Sequence, residues 1–168
     1  MLLSVIVPVY NEEKTIREIV RRVKAVRIKK EIILVDDGSR DSSPLILDEI
    51  QASHRPEEYC EKIIAIHKKN GGKGSALKEG IKASTGDIIL FQDADLEYSP
   101  EDYYVLTDPI IKREAVATMG SRLRLKQNIW AGGKKFIFYL RNHIGVFLMK
   151  FLTNWLYWQD ATDYWGCY

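Results

Sequence analysis

Five short aliphatic runs, at residues 3–8, 31–35, 62–66, 87–92 and 115–119, alternate along the chain with stretches of helical periodicity. A run of strand length with few polar positions reads as a strand covered on both faces. After the first run, Ile16, Ile19, Val20 and Val23 recur at i, i+3, i+4 and i+7, with charges on the other side of the helix. Ser43-Pro44 then reads as N-cap and first residue of a helix carrying Leu45, Ile46, Leu47 and Ile50. Residues 72–84 form a third helical pattern, with Ala76, Leu77, Gly80 and Ile81 facing inward. Ser99-Pro100 opens a fourth, running to about Lys112 with Asp102 in its first turn. Such alternation predicts an α/β fold: a mostly parallel open sheet flanked by helices.

In a parallel sheet all strands end on one edge, so the residues that follow each run share a neighbourhood. They are Tyr10-Asn11-Glu12-Glu13, then Asp36-Asp37-Gly38-Ser39, then Asn70-Gly71-Gly72-Lys73-Gly74-Ser75, then Asp93-Ala94-Asp95-Leu96-Glu97, then Gly120-Ser121-Arg122. Open α/β sheets bind ligands at that edge. Two carboxylates one residue apart, Asp93 and Asp95, are hard oxygen ligands suited to Mg²⁺ or Mn²⁺ shared with substrate phosphates. The bland alternative is that they cap a helix or shape a turn. An aromatic ring such as Tyr10 can stack on a nucleobase, and Asp37 can accept hydrogen bonds from a base edge. Glycines ahead of a helix let amides approach phosphate, with Lys73 adding a cation. Arg122 can clamp a phosphate bidentately. Taken singly, Tyr10 is equally a packing aromatic, Asp37-Gly38 a turn and Lys73 a solvated charge.

Other phosphate-binding patterns fail on spacing. Lys73 is followed by Gly74, so the glycine-rich stretch is not a Walker A loop. No G-x-G-x-x-G follows the first strand, which disfavours a dinucleotide fold. The acidic pair Asp36-Asp37 follows the second strand, the wrong one for a response regulator.

Together, residues 4–13, residues 33–39, residues 70–80 and Asp93-Ala94-Asp95 resemble the family 2 glycosyltransferases of the GT-A fold. Within that family the chain is most similar to dolichol- and polyprenol-phosphate sugar synthases, with support from Gly120-Ser121-Arg122 and Thr162-Asp163-Tyr164-Trp165-Gly166-Cys167-Tyr168. The resemblance implies that Pro8, Tyr10, Glu12, Val35 and Asp37 hold the nucleoside, and that Lys73, Gly74 and Ala94 approach the donor. It implies Mg²⁺ or Mn²⁺ on Asp93 and Asp95, joined by Glu97, with Arg122 neutralising the diphosphate and Asp163 near the sugar. The implied reaction moves a hexose, with inversion, from a GDP-mannose or UDP-glucose type of donor to a polyprenyl phosphate. A saccharide acceptor, a sugar nucleotidyltransferase and a non-catalytic nucleotide-sugar-binding protein stand as alternatives.

With 168 residues, 46% hydrophobic and 29% charged, the chain can bury a sizeable core. We expect a nucleotide-sugar-binding core over residues 1–132 and an amphipathic helical segment over 133–168, where the acceptor side of the family's domain begins and is cut short. The net charge of +2 conceals an asymmetry: residues 115–159 hold seven Lys/Arg and no acid, leaving 18 basic against 23 acidic residues elsewhere. Seven of the nine Trp and Phe residues also fall in that stretch. Cations interleaved with aromatics favour an anionic lipid surface or a phosphorylated lipid over nucleic acid, for which no recognition motif is present. Residues 134–158 are apolar nearly all round but interrupted by Arg141, His143, Lys150 and Asn154, unlike a membrane span. They suit a helix lying in the membrane interface, or a helical pair broken near Gly145 and packed on the domain. Cys60 and Cys167 match no metal-ligand spacing and read as reduced thiols, and the first residues read as a strand without a signal peptide. The expectation is a cytoplasmic protein at the inner face of a membrane.

Overall fold

The structure, a computed structural model, describes residues 1–120 and Phe151. Its elements are β1 (Leu3–Val9), α1 (Ile16–Ala25), β2 (Lys30–Asp36), α2 (Ser43–Ser53), β3 (Cys60–His67), α3 (Lys73–Ala83), β4 (Ile88–Phe91) and α4 (Tyr103–Ile111), the last entered through a 3₁₀ turn at Pro100–Asp102. All described strand pairs are parallel, in the order β3-β2-β1-β4. Residues 1–118 pack as one compact unit.

Side chains alternate between faces along a strand, and here both faces are apolar. Leu3, Val5, Val7 and Val9 of β1, with Ile32 and Leu34 of β2, meet Ile16, Ile19, Val20 and Val23 of α1, Leu47 of α2 and Tyr103 of α4. Ile6, Ile33 and Val35 point the other way, onto Ala76 of α3. That helix lies unusually close: a Cβ added at Gly80 would stand 2.3 Å from Ile6 Cγ2. Ala76 and Gly80 are buried as expected, whereas Ile81 is exposed.

The amino-terminal edge of the sheet is closed by satisfied polar groups. Glu31 is fully buried, and its carboxylate accepts from Ser4 Oγ (2.5 Å) and from the Thr85 amide (2.5 Å) and hydroxyl (2.9 Å). Lys62 pairs with it at 2.8 Å. Ser4 Oγ in turn accepts from the Gly86 amide at 2.9 Å, so one carboxylate ties the α3–β4 turn to two strands. Nearby, Lys30 donates its Nζ to the carbonyls of Val26 (2.6 Å) and Tyr59 (2.9 Å), and burial lowers its pKa.

Two expectations need correction. Residues 115–119 form no strand: Val116 is 98% exposed, and no ladder reaches this segment among the described residues. The amides of Glu114 and Ala115 both turn back onto the Pro109 carbonyl, and Arg113 adopts φ +60°, so the chain reverses out of α4 instead of entering the sheet. Ser43 is not the N-cap of α2. Ser42 holds that position, while the buried Ser43 accepts from the Glu12 amide at 2.8 Å. Among the described residues no helix is long and apolar enough to cross a membrane. The expected division at residue 132 and the basic aromatic segment 134–158 lie outside the described residues.

Candidate functional site

The chain steps from β1 outward through β2 to β3, then crosses back to add β4 on the other side of β1. That crossing makes β1 and β4 neighbours at the point where the strand order reverses, and open α/β sheets bind ligands at the carboxyl ends of such strands. A cleft of about 420 Å³ lies there, lined by Pro8, Tyr10 and Glu12 on one side, Asp37, Asn70, Gly72 and Lys73 on another, and Asp93, Ala94 and Asp95 on the third.

The first wall is built by two loops that exchange hydrogen bonds. The amide of Asn11, a residue at φ +57°, donates to Ser39 Oγ (2.9 Å), while Asn11 Oδ1 accepts from the Arg40 amide (2.8 Å). Glu13 Oε2 accepts from the Ser42 amide (3.0 Å) and Asp41 Oδ2 from the Glu13 amide (3.1 Å). Glu12 Oε2 accepts from the Thr15 hydroxyl at 2.6 Å. These bonds hold the segment from which Tyr10, 46% exposed, faces the cleft.

Asp37 organises the second wall. Its Oδ1 accepts from Lys68 Nζ (2.5 Å) and the Gly71 amide (3.0 Å), and its Oδ2 from the Gly72 amide (2.7 Å). Its own carbonyl accepts from Asn70 Nδ2 at 2.9 Å. Burial pushes the Asp37 pKa up, but Lys68 and the two amides outweigh it and hold the carboxyl below its ordinary value. Gly38 is required here: its φ is +74°, and a Cβ would stand 2.8 Å from the Asn70 nitrogen.

On the third wall, Asp93 Oδ1 lies 2.5 Å from Lys73 Nζ. Asp95 is exposed, and its Oδ1 accepts from the Glu97 amide at 3.0 Å across the left-handed Leu96. The turn-shaping alternative for Asp95 thus has a structural basis, although only one of its oxygens is used in that bond.

Of the residues singled out in the sequence, the cleft brings together Pro8, Tyr10, Glu12, Asp37, Lys73, Asp93, Ala94 and Asp95. Val35 is not at its surface: it is fully buried against α3, because the alternation along β2 turns it to the sheet face. Gly74 does not line the cleft, and a Cβ there would meet nothing within 4 Å, so its backbone is open to approach. Glu97 is exposed and does not join the acidic pair in a three-ligand cluster; among the described residues no such cluster exists. Arg122 and Asp163 lie outside the described residues. Sequence reasoning missed Lys68 as the partner of Asp37, and His67, whose Nδ1 lies 3.4 Å from Asp36 and Nε2 2.9 Å from Asp48. The register pairs Asp36 with His67, a relation invisible until β2 and β3 are known to be neighbours.

The donor set fits a divalent cation. Two carboxylates and no nitrogen or sulfur ligand suit Mg²⁺ or Mn²⁺, which typically take one or two carboxylates and complete their shell with water and substrate phosphates.

Residues 4–167 match the model for glycosyl transferase family 2. The chain belongs to that family. An undecaprenyl-phosphate 4-deoxy-4-formamido-L-arabinose transferase of Proteus mirabilis is 34% identical over 131 residues, 76% of this chain and 38% of the relative. A protein of the same name from Pseudomonas fluorescens is 37% identical over 103 residues, 59% of this chain and 29% of the relative. The chain thus spans about a third of the length of these relatives. The fold is GT-A, as expected. A crystal structure of glucosyl-3-phosphoglycerate synthase from Mycobacterium tuberculosis, in complex with Mn²⁺, UDP-glucose and phosphoglyceric acid, has a TM-score of 0.50 at 24% identity, covering 67% of this chain and 40% of that one. At that identity the likeness concerns the fold alone.

Proposed function

We propose that this family 2 chain transfers a sugar from a nucleoside-diphosphate sugar to a polyprenyl phosphate, with Mg²⁺ or Mn²⁺ on Asp93 and Asp95. The observation that carries the reading is the convergence of Asp93 and Asp95 with Tyr10, Asp37 and Lys73 around one cleft at the switch point. The names of the relatives, undecaprenyl-phosphate sugar transferases, support a polyprenyl-phosphate acceptor. The sequence pointed to a hexose; the sugar in those names is a modified arabinose, so the donor is left as a nucleotide sugar of either size.

In this reading Tyr10 stacks on the base, and the loop held by Asp37 shapes the nucleoside pocket. Lys73 reaches the diphosphate. A phosphate oxygen of the acceptor attacks the anomeric carbon while the bond from that carbon to the diphosphate oxygen breaks, inverting the centre; the electron pair stays on the departing diphosphate. Asp93 and Asp95 would hold a divalent cation, whose charge would offset that of the departing diphosphate. A phosphate acceptor is already anionic at neutral pH, so no side chain of this cleft has to remove a proton. By family resemblance, Arg122 would add a further cation at the diphosphate and Asp163 would serve near the sugar.

Thermal shift of the chain with UDP, GDP and their sugars, with and without Mn²⁺, tests the donor side, since a ligand that binds the folded state raises the midpoint. Release of free UDP or GDP on adding undecaprenyl phosphate, compared with a saccharide, tests the acceptor. The reading fails if Asp95→Ala leaves both nucleotide affinity and turnover unchanged. Peripheral membrane association is tested by liposome sedimentation of the chain, and of a variant with Lys134, Lys135, Arg141 and Lys150 neutralised.

A further inference from the structure

The 2.5 Å ion pair between Lys73 and Asp93 joins two residues with opposite tasks in the proposed site. One is to meet anionic phosphate, the other to meet a cation. Both cannot be done while the two side chains neutralise each other. Lys73 is the first residue of α3, and its side chain is 54% exposed, against 19% for Asp93. The mobile member is therefore the lysine, a point charge on a flexible four-carbon stem.

We propose that Lys73 is an exchangeable counter-ion of Asp93. Without nucleotide it neutralises the carboxylate; when a divalent cation takes Asp93, it transfers to the diphosphate. This rests on the reading of Asp93 and Asp95 as cation ligands. A cation arriving alone meets the ammonium at the same carboxylate and strips it of its partner. A diphosphate arriving alone must draw the ammonium away from Asp93 and leave that carboxylate uncompensated. Arriving together, each relieves the other: the cation replaces Lys73 on Asp93, and the phosphates accept Lys73. Cation and nucleotide therefore bind with positive coupling, and by linkage each strengthens the other by the same factor.

The test is direct binding, not turnover. Free Mn²⁺ is counted by electron paramagnetic resonance during titration of the 168-residue chain, first alone, then with saturating UDP or GDP, for wild type, Lys73→Met and Lys73→Arg. Thermal melts check that each variant is folded. The expected result is weak Mn²⁺ binding to wild type alone and a marked gain with nucleotide. Lys73→Met should bind Mn²⁺ alone roughly tenfold tighter and lose about the same factor from the coupling. Lys73→Arg, which keeps the charge, should resemble wild type. If wild type binds Mn²⁺ with nucleotide but Lys73→Met leaves Mn²⁺-alone affinity unchanged or weaker, the counter-ion role is overturned while the cation site stands. If Asp93→Ala and Asp95→Ala bind Mn²⁺ and nucleotide as wild type does, the cation site itself is wrong, and the proposal with it.

Discussion

Asp37 and Gly72, thirty-five residues apart in sequence, are joined by a 2.7 Å hydrogen bond from the glycine amide to Asp37 Oδ2. With Lys68 and the Gly71 amide on Oδ1, this bond makes a buried carboxylate the anchor of the cleft's glycine-rich wall. Asp37→Asn keeps the shape but presents an NH₂ group to donors. We expect a loss of about 1–3 kcal/mol of stability, the usual penalty for leaving a buried donor unmet. Nucleotide affinity should fall at least about tenfold, which corresponds to 1.4 kcal/mol. The Asp37 pKa is depressed in the fold, so its contribution is present above the unfolded value near 3.9 and lost as pH falls through the lower folded value. Denaturant midpoints of wild type and variant should converge as the solution is acidified; a gap that stays constant with pH refutes this.

At the opposite edge of the sheet, Glu31 is the one carboxylate shared by Ser4, Thr85 and Lys62. Burial pushes its pKa up, but those partners prevail and lower it to about 2. Glu31→Gln should destabilise the domain by about 1.5–3 kcal/mol at neutral pH, the range for hydrogen bonds to a charged group. The sign follows from the depressed pKa: the contribution is full above the unfolded value of roughly 4.3 and disappears as pH falls toward the folded value. Urea unfolding at neutral and acid pH measures it, and nucleotide affinity should stay unchanged because Glu31 lies at the far end of the strands from the cleft.

His67 behaves in the reverse sense. Its bond to Asp48 raises its pKa, burial opposes, and Asp36 adds to the rise. The stabilising contribution is therefore full below about 6.5, the unfolded value, and is lost as pH rises through the higher folded value. His67→Gln should flatten the dependence of stability on pH across neutrality, as read by thermal melts in a pH series. An unaltered pH profile in the variant would show that the Asp36–His67–Asp48 contacts are energetically idle.

The approach of α3 to β1 makes Gly80→Ala an overpacking substitution: its new methyl would meet Ile6 Cγ2 at 2.3 Å. The expected loss is about 1–3 kcal/mol, against the small gain that alanine gives an exposed helix. In a double-mutant cycle, Ile6→Ala should be less harmful in the Gly80→Ala background than in wild type, because it removes the colliding group. Purely additive losses would show that the helix simply moves away.

Much of the fold was legible in residue pattern. The runs around Val5, Ile33 and Leu90 carry no polar face, so they had to be strands covered on both sides, and Ile16, Ile19, Val20 and Val23 could only be the inner stripe of a helix. The run at 115–119 misled because aliphatic content signals burial without supplying a neighbour, and Pro109 with Arg113 turns the chain away first. The resemblance set Val35 near the nucleoside; the period of β2 that buries Ile33 buries its side chain as well. The resemblance set Glu97 beside the aspartates; in the structure a left-handed Leu96 stands between, and Glu97 joins no three-ligand cluster among the described residues.

Residue pattern by itself determined the α/β alternation and the polar strand ends, because the hydrophobic period is a local property that any short window displays. Tertiary structure alone decided that β4 lies beside β1, that Lys68 meets Asp37, and that Lys73 rests on Asp93. Strand order and ion pairing join residues far apart in sequence. They are chosen by which arrangement buries all the apolar faces at once and leaves no buried charge without a partner.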